Sequence, residues 1–266
     1  GIYDSLDIKI DFITYASATD RDAAFLSGKL DGMLTDYPGA TLLQAKGSRL
    51  RLVMETDGSL SLIASKKSNV RNPDDLKGKN ISVSGNTFVE YATDEVMKRA
   101  CLHPGEVNKP EINNIPLRLM MLEDGQISAS FLPGPATAIA LNDGHTALLN
   151  TRQMGLHCTG IVFSEKAITE KDEEIRRFIT GYNLGVKYLQ TRPQNEWTEI
   201  LVKEFGLQEK AAMQIDLPDY RPATRPSYHD IEKIIAWLKS KRAIPDYYPG
   251  ENLVDTTFIP GTPEPQ

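Results

Sequence analysis

The sequence predicts an α/β protein in two lobes, each a mostly parallel sheet flanked by helices, and three observations predict it. Strand-like and helix-like runs alternate from Asp7 to Ser164, which is the signature of a sheet with helices on its faces. One αβα plan occurs twice, 97 residues apart: Gly28, Pro38 and Gly47 recur as Gly125, Pro135 and Gly144. In each copy a helix-like run ends in Gly, a short apolar strand follows, and Pro opens another helix. A polar stretch from Lys66 to Lys79 interrupts the alternation between the copies. Because Gly and Pro punctuate any α/β chain, the coincidences also fit two ordinary β–α turns.

Each element follows in order. Asp7 to Tyr15 alternates Ile8, Ile10 and Phe12 with Asp7, Lys9 and Asp11, the period of two of a half-covered strand. Ala18 to Lys29 reads as a helix stopped at Gly28, Asp31 to Tyr37 as a strand, and Pro38 to Lys46 as a second helix. Strands at Arg49 to Glu55 and Leu60 to Ser65 complete the first stretch. Beyond the polar segment come a strand (Asn80 to Ser84), a helix (Phe88 to Cys101), a strand (Glu111 to Ile115) and a helix (Leu117 to Asp124). A strand (Ile127 to Leu132), a helix (Pro135 to Asn142) and strands at Ala147 to Asn150 and His157 to Ser164 follow. The chain then turns helical over Lys171 to Gln190, Asn195 to Glu204, Gln208 to Met213 and Ser227 to Arg242. Phe178, Tyr182, Val186 and Leu189 give the first of these an apolar stripe that must pack. The Pro-rich end, Ile259 to Gln266, has no apolar pattern and is expected to fray or lie on the surface.

Composition excludes several functions. With 266 residues, 40% hydrophobic and 25% charged, the chain can bury one large core or two medium ones. A net charge of -6 without a basic cluster excludes a nucleic-acid partner, whose phosphates require one. No stretch approaches the roughly 20 apolar residues of a membrane-spanning helix. The chain starts at Gly1 without a charged-then-apolar leader, which fits a processed form or an expressed segment. Cys101 and Cys158 suit neither a disulfide framework nor a zinc site; they read as buried apolar residues, with a single disulfide as the alternative. The four histidines (His103, His145, His157, His229) lack metal-ligand spacing, so no metal and no cofactor are expected. No nucleophile elbow, Walker loop or dinucleotide fingerprint occurs. His157 and Cys158 are adjacent on a strand and so point to opposite faces, which disfavours them as a base–nucleophile pair.

Ligands of open α/β sheets bind beyond the carboxyl ends of strands, where helix N-termini present free N–H groups. Those positions here hold Tyr15, Ser17, Thr35, Asp36, Tyr37, Ser59, Ser84, Asn86, Thr87, Phe131 and Pro133. Hydroxyls and aromatic faces suit a small planar or polar ligand. Ser84-Gly85-Asn86-Thr87 before the Phe88 helix is the sharpest of these, because Gly allows close approach and the helix N-terminus favours an anionic group. The same residues also serve as helix caps, as does Asp36, and Tyr37 and Phe131 also fit core packing. These loops carry no Lys or Arg, which favours an organic ligand with at most one anionic group.

Gly1-Ile2-Tyr3-Asp4, then Ser27-Gly28-Lys29-Leu30-Asp31-Gly32, then Asn72-Pro73-Asp74-Asp75-Leu76-Lys77-Gly78-Lys79 leading into Ile81-Ser82-Val83, resembles the substrate-binding proteins of ABC importers. The nearest branch is the one for nitrate, sulfonate and thiamine precursors, and the resemblance reaches about Gln190. It implies a two-lobed, periplasmic-binding-protein-like (type II) fold. Residues 1–65 and 160–266 would form one lobe, without the strand–helix unit that usually comes first, and residues 66–159 the other. It further implies a small-molecule ligand gripped between lobes that close as a hinge. A membrane permease, and indirectly its ATPase, would be the partner of a monomeric protein in the periplasm or outside the cytoplasm, with a lipid anchor on the unprocessed form as one option. Enzymes of thiamine-pyrimidine or menaquinone synthesis share this fold, although the synthase's cysteine-rich motif is absent here. A sensory ligand-binding module is the third reading.

Overall fold

We describe a computed structural model of the chain, covering residues 1–206, 208–213 and 220–259. In chain order its elements are α1 (Ala18–Leu26), β1 (Gly32–Asp36), α2 (Tyr37–Ala45), β2 (Leu50–Thr56), β3 (Leu60–Ala64), β4 (Ile81–Ser82), α3 (Phe88–Arg99) and α4 (Ile115–Asp124). They continue as β5 (Ala129–Pro133), α5 (Gly134–Asn142), β6 (Thr146–Asn150), β7 (Thr159–Ser164), α6 (Glu165–Glu170), α7 (Asp172–Thr191), α8 (Gln194–Phe205), α9 (Glu209–Met213) and α10 (Tyr228–Ser240). No helix among the described residues is long and apolar enough to cross a membrane.

The chain divides into two compact units, Gly1–Asp57 with Cys158–Arg192 and Asp219–Gln266, and Gly58–His157 with Pro193–Pro218. Two differences from the expected lobes have physical causes. Leu60–Ala64 pairs with β5 and β6, so the chain leaves unit 1 at Asp57 rather than near Ala64. The short α9 packs on α5, which draws residues 193–218 into unit 2.

The repeat runs residue for residue through both units. Adding 97 to β1 gives β5, and adding 97 to α2 gives α5. Helices α1 and α4 both start one residue after an N-cap, Ser17 and Asn114, whose side chains accept from Asp20 N and Leu117 N. Pro38 and Pro135 lie in the first turns of α2 and α5, where the missing N–H is not needed. Gly28, Gly47, Gly125 and Gly144 all take left-handed backbones just past a helix end, at φ of 76°, 95°, 75° and 87°. In this repeat the counterpart of Phe131 is Leu34.

Strand directions are mixed, and the cause is the strand that follows each passage between units. In unit 1 the order is β1-β7-β2, with β7 antiparallel to both neighbours. In unit 2 it is β4-β5-β3-β6, with β3 antiparallel to β5 and β6, while β4 runs parallel to β5. The strands of the repeat therefore share one direction, as alternation predicts, but a reversed strand separates them. The unit 1 core gathers Val53, Met54, Ile161 and Phe163 of the sheet with Ile175 and Ile179 of α7. The unit 2 core gathers Ile63, Leu122, Ile127 and Leu132 with Ala136 and Ala140 of α5.

Two expected strands do not form. Residues 8–15 have no ladder partner, and Phe12 (72%) and Ile13 (58%) stand exposed. A strand gains little without a neighbour to take its N–H and C=O groups, whatever its periodicity. Glu111 makes only an isolated bridge to Val83, and α4 already begins at Ile115. Residues 260–266 of the expected tail lie outside the described residues.

Candidate functional site

The strand-end residues of each unit gather around helix N-termini. In unit 1, Asp36 caps α2 by accepting from Gly39 N at 2.7 Å. Ser17 caps α1, and its hydroxyl donates to Asp20 Oδ2 at 2.7 Å. Thr35 is buried, and its Oγ1 accepts from Arg21 Nη2 at 2.9 Å. Arg21 is further neutralised by Asp22 Oδ1, at 2.9 Å from Nε and 2.6 Å from Nη2. Tyr15 is half-buried just ahead of this cluster.

Tyr37 is part of the core. Its side chain is fully buried and its hydroxyl donates to Glu55 Oε2 at 2.9 Å. Burial, and then the Glu55 charge, push the phenol well above the ordinary tyrosine range. Glu55 Oε1 accepts from Arg221 Nη2 at 2.9 Å, and Asp57 takes Arg221 Nε and backbone N–H at 2.7 and 2.8 Å. Burial works against the Arg221 charge, but the bonds to Asp57 and then Glu55 outweigh it and hold the group charged. Tyr182, its hydroxyl buried with no partner among the described residues, is pushed up by burial first and by Asp57 second.

In unit 2, Ser84 donates to Asn113 Oδ1 at 2.8 Å and Thr87 caps α3 by accepting from Val89 N. Asn86 between them takes a left-handed backbone, φ 55°, held by its N–H to Glu90 Oε2 at 2.7 Å. A Cβ at Gly85 would stand 2.8 Å from Glu111 Oε1, the movable end of an exposed side chain. The Asn86 side-chain amide bonds to none of the described residues. Ser59 and Pro133 are half-buried, the latter at the N-cap of α5. Phe131 is fully buried, so the Tyr37 and Phe131 rings lie in the cores of their units.

Sequence reasoning missed the two arginines nearest these loops. Arg21 and Arg118 are 97 residues apart, in the first turns of α1 and α4, and both reach back onto the strand ends. Arg21 thus bonds Thr35 near the end of β1 and Arg118 the Phe131 carbonyl within β5, each supplied by the helix that precedes the strand. Their shared spacing from Gly28 and Gly125 was the signal that could have found them. His145 is buried, accepting from Lys66 N at 3.0 Å through Nδ1 and meeting Glu123 Oε2 at 2.9 Å through Nε2. No cluster fit to hold a metal occurs among the described residues. Cys101 is exposed and Cys158 buried, and neither is in a disulfide.

Comparison with known proteins completes the description. The family model described as NMT1/THI5 like matches residues 1–196. A search of the curated proteins found no match. Among solved structures, the ligand-binding component of an ABC-type import system from Staphylococcus aureus, with zinc bound, superimposes with a TM-score of 0.80 at 14% identity, over 97% of this chain and 91% of that one. The alkanesulfonate-binding protein SsuA from Xanthomonas axonopodis pv. citri, bound to MOPS, gives 0.78 at 18% identity, over 92% and 87%. The desulfurization enzyme DSZB gives 0.68 at 12% identity, over 97% and 91%. Likeness at such identities establishes the fold: the chain has the two-lobed, type II periplasmic-binding-protein architecture.

Proposed function

This chain belongs to the NMT1/THI5-like family, and from that premise we propose that it is the solute receptor of an ABC importer, binding one small organic molecule or monoanion and releasing it unchanged. The observation that carries the reading is the repeat itself. Each unit presents a capped helix N-terminus, small hydroxyl side chains and a first-turn arginine at the same strand end. A receptor needs recognition groups from each unit, whereas a catalyst needs one nucleophile or acid–base set. The import component and the alkanesulfonate-binding protein share this fold over more than nine-tenths of the chain, which supports the same reading. It would then act outside the cytoplasm, with a membrane permease as its partner and, through the permease, an ATPase.

The likeness to DSZB favours a second reading, an enzyme on the same fold. Cys158 is a poor nucleophile for such an enzyme, because burial first and the charges of Asp230, Asp36 and Glu55 next push its thiol well above the ordinary range. The test is calorimetry with the ligand found by metabolite screening, on Thr35→Val in unit 1 and Asn86→Gly in unit 2. Each loses one hydrogen-bonding group, and each is expected to weaken binding roughly 3- to 10-fold. Unchanged affinity in either variant would contradict recognition by both units, and turnover of the ligand would replace the receptor with the enzyme.

A further inference from the structure

A cavity of about 270 Å³ opens in unit 1 around the start of β2, at the other end of that strand from Glu55. Cavities that hold drug-sized ligands run upward from about 300 Å³, so this one takes a smaller molecule. Two of its side chains are committed to holding its wall. Gln44 Nε2 donates to the Leu50 and Asn252 carbonyl oxygens at 3.3 and 2.8 Å, and Gln44 Oε1 accepts from the Tyr248 hydroxyl at 2.5 Å. Arg51 donates to the Asn252 carbonyl oxygen through Nη1 and to Glu165 Oε1 through Nη2, the latter at 2.8 Å. Leu52 N donates to the Leu253 carbonyl oxygen at 2.7 Å and Asp255 N to that of Leu52 at 3.0 Å, so the segment after Tyr248 lies along β2 like an added parallel strand. Gly250 turns this segment with a left-handed backbone, φ 72°, where a Cβ would stand 2.5 Å from Ile235 Cδ1. The wall is therefore in place before any ligand arrives, which removes an ordering cost from binding.

The other polar groups of the lining are uncommitted. Arg49 and Glu251 carry opposite charges and border the same cavity, yet neither pairs with the other or with any described residue. The Ser48 hydroxyl and the Asn252 side-chain amide likewise bond to none of the described residues. Arg51 and Glu165 cancel each other, so the lining is neutral as a whole but offers one open cation and one open carboxylate. A simple anion would be drawn by Arg49 and repelled by Glu251, and a simple cation the reverse. A molecule bearing both charges answers both groups.

We propose that this cavity is a second small-molecule site, for a compact zwitterion of the free α-amino acid kind. Its carboxylate meets Arg49 and the Ser48 hydroxyl, its ammonium meets Glu251, and the Asn252 amide bonds to either end. The site is separate from the strand-end loops and stands whether or not the protein is a transport receptor.

The experiment titrates the full chain by calorimetry with glycine and with its two halves, acetate and methylamine. Glycine is expected to saturate at one site per chain, with acetate and methylamine each at least about 10-fold weaker, because each meets only one of the two charges. Arg49→Met and Glu251→Gln should each weaken glycine roughly 10-fold, the loss of one charge-assisted bond. Both should keep the wild-type melting temperature, because neither side chain is bonded to a described residue in the free protein. In amide NMR spectra, glycine should shift Ser48, Arg49 and Gly250. Glycine that does not saturate, or that acetate or methylamine matches in affinity, overturns the proposal and leaves a solvated crease. So does unchanged glycine affinity in both variants. Shifts confined to Thr35 or Asn86 also overturn it, by placing glycine among the strand-end loops instead.

Discussion

Arg221 holds Asp57 with two bonds across 164 residues of sequence, from its backbone N–H at 2.8 Å and its Nε at 2.7 Å. Asp57 is the last residue of unit 1 before the chain enters unit 2, and the same guanidinium reaches Glu55 near the end of β2. Arg221→Ala leaves two largely buried carboxylates without their cation. The half-exposed Arg221 side chain tempers the loss, which is expected to be about 2 kcal/mol. Urea unfolding measures it, and an unchanged midpoint would contradict the assignment.

Tyr37 predicts an alkaline limb of instability. An unfolded tyrosine ionises near pH 10, whereas burial and Glu55 keep the folded phenol protonated beyond that. Above about pH 10 the folded state therefore binds more protons than the unfolded state, and stability falls as pH rises. Below that pH the contribution is complete. Urea midpoints measured from neutral pH into this range should fall less steeply in Tyr37→Phe. A residual slope will remain, because burial also pushes Tyr248 up to about 12. Identical slopes would contradict the account.

Gly160 sits where β7 passes closest to β2. A Cβ there would stand 2.6 Å from Leu52 Cδ1 and from the Met54 carbonyl oxygen. Gly160→Ala should cost roughly 1–3 kcal/mol by overpacking. Gly134→Ala, where nothing lies within 4 Å, should be neutral or slightly stabilising. Thermal unfolding of the pair checks the contrast, and equal melting temperatures would refute it.

Asp36 caps α2 by accepting from Gly39 N through Oδ1. Asp36→Ala should lose about 1 kcal/mol, whereas Asp36→Asn, which still accepts that bond, should lose only a few tenths. Equal losses in denaturant unfolding would show that the charge matters rather than the cap.

Much of this fold was legible because local chemistry fixes it. The Gly and Pro residues repeated at 97 positions end and begin the same helices in both units, and Ser17, Asp36 and Thr87 cap the helices they precede. What the sequence concealed depends on neighbours distant in the chain. Residues 8–15 have a strand's alternation but no strand beside them. The reversed strands β3 and β7 enter their sheets only because the chain passes between units. Tyr37 looked available at a strand end, yet its ring faces the core and its hydroxyl meets Glu55. The bond from Arg118 to the Phe131 carbonyl was invisible because the two residues meet only in space.

Native mass spectrometry of the chain purified without denaturation, followed by release and identification of what it carries, tests the central claim most directly. The account predicts one small organic molecule or monoanion per chain, recovered with its mass unaltered after prolonged incubation. A chain that captures nothing from a metabolite extract, or that returns its ligand chemically altered, contradicts it.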